Sequence, residues 1–245
     1  MNILRSYQAM SNGSTSFNLQ IKRPGMIWQD FDRDDFAFGP LSRIDHAMVS
    51  EGVVVPMHEH VNDEILTYIW KGEVHHKDSV GITEVISSSK LMMMNAGRSF
   101  FHEESIPKGS VESLQIFICP TSENLEPKVQ FFDTNNNNDD WKLIAGPIES
   151  NVPLELRQNV VVYDVHGKKG DILEIPQIKQ LTPWLYIMDG KLKVEEHLLE
   201  KGDAITGDEG ELQNLELLED TTLVLFLVDL NAEMTYEGNF SGWKR

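Results

Sequence analysis

The 245-residue sequence has a single cysteine and no long hydrophobic run. Cys119 has no second cysteine with which to form a disulfide, which fits a reducing compartment, and its strand-like setting predicts a buried side chain. The longest strongly apolar run, residues 223–228, is too short to cross a bilayer. The first 25 residues lack the apolar core of a signal peptide. These absences predict a cytoplasmic protein with no membrane partner.

Basic residues are also scarce, with 21 Lys and Arg against 39 Asp and Glu and a formal net charge of −18. Such a surface repels the phosphate backbone, and the few lysines and arginines do not form a basic cluster. The composition therefore argues against direct nucleic-acid binding.

Sustained helical periodicity is the third feature that is missing. Apolar residues occur instead in short runs rich in β-branched and aromatic side chains, separated by Gly, Asp, Asn and Ser. Examples are residues 65–70, 114–119, 160–163, 184–188 and 223–228. This pattern is typical of an all-β sandwich or barrel.

An asparagine-rich stretch near the middle of the chain suggests two halves. Residues 134–140 are too polar to enter a core, so we interpret them as a connector between domains at 1–133 and 141–245. A long surface loop inside one domain is the alternative. A faint repeat supports the division, because residues 68–74 and 186–192 both predict a strand, a tight turn at Gly72 or Gly190, and a returning hairpin strand.

Two motifs carry chemistry. His58 and His60 stand two apart in a strand-like segment, which points both imidazoles to one face. His102 and Glu104 repeat that spacing further along. Two such strands facing each other would place four ligands around one Fe(II), Mn(II) or Ni(II) ion and leave coordination positions open: His58, His60, His102 and Glu104. Glu64 would share the face of His60 if its strand ran on without a bulge.

These residues resemble the motifs of the pirin family, a branch of the cupin superfamily. The first cupin motif is matched by Gly52, His58, His60, Glu64 and Gly72. The more specific pirin pattern is matched by residues 64–68, 72–79 and 94–104, and the similarity extends over about residues 40–120. The resemblance implies two tandem cupin domains, each a jelly-roll β-sandwich, with a metal site in the first.

Carried over residue by residue, the resemblance implies that His58, His60, His102 and Glu104 bind one divalent metal, typically iron. It favours Glu104 over Glu64 as the carboxylate ligand and gives Glu104 the role of general base. The implied activity is that of a quercetin 2,3-dioxygenase acting on an aromatic, flavonoid-like substrate. The alternative is a metal- or redox-sensing protein that docks on a regulatory protein partner.

The second half lacks these ligands. Aligning the two repeats places Pro176 and Ile178 where His58 and His60 stand, which predicts a metal-free second cupin. In the first half, His75 and His76 follow a turn and are expected on the surface. Phe100 and Phe101 are expected to alter the mouth of the cavity.

Overall fold

The computed structural model describes residues 1–135, 139–208 and 210–245, and these fold almost entirely into β-strands. In the first half the strands are β1 Asn2–Leu4, β2 Met10–Gly13, β3 Phe17–Lys22, β4 Leu41–Ser50, β5 Val54–His60, β6 Glu64–Lys71, β7 Glu73–Asp78, β8 Thr83–Ser87, β9 Lys90–Asn95, β10 Phe100–Ser105, β11 Ser110–Ile118 and β12 Lys128–Asp133. In the second half they are β13 Lys142–Gly146, β14 Leu154–Glu155, β15 Val160–Gly167, β16 Ile172–Leu173, β17 Thr182–Asp189, β18 Lys191–Val194, β19 His197–Glu200, β20 Ala204–Thr206, β21 Leu215–Leu217 and β22 Thr221–Val228. Short 3₁₀ helices cover Ser6–Gln8, Pro24–Trp28 and Ile148–Ser150. The all-β prediction is confirmed.

The strands form three sheets. An 11-stranded sheet has the order β2-β3-β4-β11-β6-β9-β8-β7-β10-β5, and β12 also pairs with β9. A seven-stranded sheet has the order β1-β20-β17-β22-β15-β13-β14, and a four-stranded sheet has the order β16-β21-β18-β19. Strand β1 therefore joins the sheet of the second half. The predicted division at 134–140 stays a prediction, and residues 136–138 of that connector lie outside the described residues.

The largest core cluster lies where the two large sheets face each other. It joins Leu66 and Ile116 from the first sheet to Trp184 and Phe226 from the second, all fully buried. Alternating residues of each strand supply this layer, as expected where sheets pack face to face. Cys119 is buried as predicted, and burial raises the pKa of its thiol to about 12.

Gly72 and Gly190 occupy equivalent corners in the two halves. Both have a left-handed backbone, with φ of 81° and 91°. The predicted turns are present, but the predicted hairpins are wrong. Strand β6 pairs with β9 and β11, whereas β7 pairs with β8 and β10, and β17 and β18 belong to different sheets. At each glycine the chain turns away from the strands that its preceding strand pairs with. The strands before and after the glycine therefore pair with other strands and not with each other.

A buried polar network ties the sheets together. His46 Nδ1 lies 2.8 Å from the Tyr186 hydroxyl, and its Nε2 lies 2.9 Å from Glu112 Oε1. The Lys201 ammonium lies 2.5 Å from the same oxygen. Burial alone would raise the pKa of Glu112, but hydrogen bonds from His46 and Lys201, with the lysine charge, outweigh it and lower the pKa to about 2.

The Gly72 corner predicts a large effect of an added methyl group. In Gly72→Ala the new Cβ would lie 2.2 Å from the Ser110 carbonyl oxygen, in addition to the left-handed strain. We expect a loss of about 3 kcal/mol of unfolding free energy, measured by denaturant titration. Gly81→Ala is the matched control, because Gly81 has φ of 90° and no atom near its Cβ position. It should lose only about 1 kcal/mol, and equal losses would contradict the steric explanation.

The Glu112 network predicts a pH-dependent contribution to stability. The folded pKa lies below the ordinary glutamate value of 4.5, so the stabilisation is fully present above about pH 5 and is lost as the pH falls toward 2. Glu112→Gln should cost about 2 kcal/mol at pH 7 and much less at pH 3. Unfolding titrations at both pH values test this, with Glu73→Gln, at a partly exposed position, as control. A pH-independent difference would argue against the assigned ion pair.

Candidate metal centre

Strand β5 presents His58 and His60 on one face. The two rings lie 4.9 Å apart between centroids, as the two-residue spacing predicts. The pairing of β5 with β10 shifts register between His102 and Glu104, opposite the stretch that contains Pro56. Proline has no N–H to donate to the ladder, which suits such an irregularity. The Pro56 carbonyl then lies 2.9 Å from His58 Nδ1.

Strand β10 brings His102 to the same point, because His102 is the direct cross-strand partner of His58. The Nε2 atoms of His60 and His102 each lie 3.1 Å from Nε2 of His58. His60 and His102 are buried, and His58 is partly exposed. Within the described residues, these three histidines form the group whose ligand atoms, all within 4.8 Å of one another, could hold a metal ion.

The hydrogen bonds behind the rings determine which nitrogen faces inward. His58 Nδ1 faces the Pro56 carbonyl and His60 Nδ1 lies 3.1 Å from Asp63 Oδ2. Both partners accept only, so Nδ1 carries the hydrogen in each neutral ring and Nε2 carries a lone pair. Two lone pairs then face each other across 3.1 Å. Burial lowers the pKa of His58, which disfavours a shared proton there.

The spacing of these nitrogens fits a transition metal. Nitrogens that each bind one ion at about 2.1 Å are about 3 Å apart when they occupy neighbouring octahedral corners. The histidine cluster therefore fits a single divalent metal, which His58, His60 and His102 would hold.

Glu104 lies next to this cluster without joining it directly. Its Oε1 is 4.0 Å from His102 Nδ1, and its Oε2 accepts a hydrogen bond of 2.8 Å from Gln115. Burial raises the pKa of Glu104 to about 7, despite the opposing Gln115 hydrogen bond. Among the described residues, Oε1 of Glu104 and Nδ1 of His102 are both buried without a hydrogen-bond partner. A bound ion would account for unsatisfied atoms at this place.

Glu64, the competing carboxylate, is engaged elsewhere. Its side chain is fully buried and lies 2.7 Å and 2.8 Å from Nη2 and Nε of Arg157. The Arg157 backbone N–H and the Asn95 side-chain amide donate further hydrogen bonds to it. Glu64 therefore holds the second half of the chain against the first and is absent from the histidine cluster.

The expectation that His76 lies on the surface is wrong. Its side chain is fully buried, its ring lies 5.4 Å from that of His102, and its Nε2 is 3.2 Å from Asp78 Oδ2. Strand β7 pairs with β10 so that His76 stands opposite Glu104 and Asp78 opposite His102. The inward face of β7 thus forms the floor of the site, while the neighbouring His75 is partly exposed.

The two phenylalanines before His102 point in opposite directions. Phe100 is buried opposite His60, in a cluster with Ile65 and Met94, and Phe101 is 39% exposed on the outer face. Only Phe100 therefore lies on the face of β10 that carries His102. Sequence reasoning missed Asp63 and Phe240, whose ring lies 4.7 Å from that of His60. No local pattern marks Phe240, which lies 180 residues from His60 in the sequence.

The corresponding place in the second half is different. A cavity of about 580 Å³ lies there, lined in part by Pro176, Ile178 and Leu212. The described residues contain no second group of metal-binding side chains in this half. No helix in the described part of the chain is both long and apolar enough to cross a membrane.

Two family models match most of the chain. Residues 9–118 match the model described as Pirin, and residues 143–229 match the quercetinase C-terminal cupin domain. A quercetin 2,3-dioxygenase of Escherichia coli (strain K12) is 27% identical over 170 residues, which are 67% of this chain and 71% of the relative.

Solved structures agree with this match. The bacterial pirin YhhW from Escherichia coli, in complex with nickel(II), has a TM-score of 0.80 at 18% identity, covering 92% of this chain and 97% of its own. A quercetin 2,3-dioxygenase from Acinetobacter baumannii has a TM-score of 0.75 at 22% identity, covering 94% of this chain and 87% of its own. These overlaps confirm the predicted fold of two tandem cupin units. The chain belongs to the pirin family.

Proposed function

We propose that this protein binds one divalent transition metal through His58, His60, His102 and Glu104 and acts as a dioxygenase of the quercetin 2,3-dioxygenase type. The observation that carries the proposal is the pair of Nε2 lone pairs, on His58 and His60, held 3.1 Å apart with both rings locked from behind. Such an arrangement is unfavourable in a metal-free protein and becomes favourable when a cation lies between the nitrogens.

Fe(II) is the metal we propose, with Mn(II) and Ni(II) as alternatives. Three imidazoles and one carboxylate suit all three ions and leave coordination positions open. The nickel(II) complex of the bacterial pirin supports a divalent ion in a protein of this fold. A reducing cytoplasm, which we propose as the location, would keep iron in the ferrous state.

Glu104 becomes the fourth ligand only if its carboxylate moves toward the three histidines, because it lies outside their group. Its Oε1 has no hydrogen-bond partner among the described residues, so turning it toward the cluster breaks no bond on that oxygen. Oε2 stays on Gln115, which fixes the plane of the carboxylate. We propose Glu104 over Glu64 because Glu64 would first have to leave Arg157.

The chemistry that the bound metal supplies is activation of O2 and of a substrate oxygen at its open positions. The protein contributes Glu104 as a buried carboxylate that accepts the proton of a substrate hydroxyl. Phe240, partly exposed beside His60, offers an apolar contact to an aromatic substrate. The quercetin dioxygenase names of the relatives point to the same class. Docking on a regulatory protein stays a prediction.

Metal content tests the ligand assignment. The purified wild type should hold about one divalent metal per chain after anaerobic loading with Fe(II), as measured by elemental analysis. His58→Ala and His102→Ala should each lose most of it, because either change removes a nitrogen from the cluster. His75→Ala is the matched control, since His75 is a partly exposed histidine in the same sheet. Metal-free wild-type protein after loading would refute the proposal.

Oxygen uptake with a flavonol tests the reaction. The Fe(II)-loaded protein should consume O2 only when quercetin is present, as followed with an oxygen electrode. Glu104→Gln should reduce turnover at least about a hundredfold, because the amide cannot accept the proton. Glu103→Gln, a change on the opposite face of the same strand, should keep wild-type activity. A loaded protein that consumes no O2 with any flavonol would exclude this activity.

A further inference from the structure

The end of the chain, residues 230–245, lies beyond both family models and folds back over the metal centre. It leaves the second half after β22 and reaches the loop that follows His60. Its fixed points lie on the first half: the Ser241 carbonyl accepts from the Ser42 hydroxyl at 2.6 Å, and the Lys244 carbonyl accepts from the Phe36 N–H at 2.6 Å. We call residues 238–241 the C-terminal clasp.

The clasp forms hydrogen bonds to the backbone on both sides of His60. The Asn239 side-chain amide donates to the Glu59 carbonyl at 2.9 Å, and its oxygen accepts from the Val61 N–H at 3.0 Å. The Asn239 N–H donates to the Val61 carbonyl at 3.1 Å. Three hydrogen bonds from one residue therefore fix the chain immediately before and after a proposed metal ligand.

The clasp also holds the carboxylate that orients the His60 ring. Asp63 is fully buried, and its Oδ1 accepts from the N–H groups of Ser241 at 2.8 Å and Phe240 at 3.3 Å. Its Oδ2 accepts from His60 Nδ1 at 3.1 Å. A carboxylate is required, because both of its oxygens face donors. An asparagine here would turn its NH2 group toward either the backbone N–H groups or the imidazole N–H.

The Phe240 ring of the clasp packs against the His60 imidazole. It lies 4.7 Å from the His60 ring and stacks on Phe117 at 5.5 Å. The Arg43 guanidinium lies 5.8 Å from the Phe240 ring. The imidazole is therefore confined by an aromatic ring at its face and by a carboxylate at Nδ1.

We propose that the C-terminal clasp is a positioning device for the metal centre: through Asp63 and Phe240 it holds His60 with Nε2 unprotonated and aimed at His58. Asp63 is a positioning residue and touches no metal. The inference rests on the proposed metal binding and extends it, because affinity then depends on a segment contributed by the opposite end of the chain. Partners behind metal-bound histidines typically change affinity 10- to 100-fold.

Three variants and a control test the clasp. Asp63→Asn removes one acceptor, Asn239→Ala releases the backbone around His60, and Phe240→Leu keeps apolar volume but removes the ring. Lys244→Ala is the control on the same segment, since its side chain packs over Tyr236 and not over His60. Ni(II) affinity is measured by competition with a chelator. We expect a 10- to 100-fold loss for Asp63→Asn and a smaller loss for the other two, with Lys244→Ala unchanged.

A second measurement needs no metal. Long-range ¹H–¹⁵N correlation spectra of the metal-free protein report the tautomer of His60, which we expect to carry its hydrogen on Nδ1 in the wild type and in Lys244→Ala. Asp63→Asn should shift it toward the Nε2–H form. Thermal unfolding of the metal-free variants checks folding, and if Asp63→Asn does not fold, the exposed Asn239→Ala decides.

A failure of the proposed metal binding and a failure of the clasp inference give different results. A wild type that binds no Ni(II) refutes the proposed metal function, while the tautomer spectra still report on the clasp. Wild-type Ni(II) affinity in Asp63→Asn and Asn239→Ala overturns the inference, as does an unchanged His60 tautomer in Asp63→Asn. A matching loss in Lys244→Ala would also overturn it, because the effect would then be general destabilisation.

Discussion

The antiparallel register between β5 and β10 is the constraint on which the metal centre depends. It sets His102 opposite His58, and the pairing of β10 with β7 sets His76 and Asp78 on the same inner face. A slip of one residue would turn every one of these side chains outward, because successive residues alternate between faces. The irregularity at Pro56 then places a carbonyl behind His58. The imidazole geometry is thus a product of strand pairing more than of any single side chain.

Sequence periodicity predicted the centre well where it followed one strand. The two-residue spacing placed His58 with His60, and the same spacing at His102 and Glu104 predicted a second strand facing them. The same reasoning failed for His76. Its inward direction follows from the alternation of side chains along β7, and β7 begins only after the turn at Gly72. The hairpins predicted at Gly72 and Gly190 were wrong for a related reason. A glycine turn fixes the local backbone, while strand partners are chosen by distant segments.

Long-range partners were outside the reach of local patterns. Glu64 looked like a ligand because its spacing fits the cupin motif, but the partner that occupies it, Arg157, is 93 residues away. Asp63 is three residues from His60, but Ser241, which holds its other oxygen, is 178 residues away, and Phe240 is as distant from His60. Charge and burial at these positions become interpretable only once the two large sheets are packed. The network of His46, Glu112 and Tyr186 is of the same kind, because it requires both sheets to be in place.

The return of residues 238–241 to the loop after His60 bears on how the protein matures. During synthesis, the first half emerges from the ribosome long before residue 241, so its histidines are present before Ser241 can hold Asp63. The first strand, β1, likewise waits for β20. The contacts that order the centre can therefore form only once residues 238–241 have been made, so the surroundings of His60 are completed late in folding.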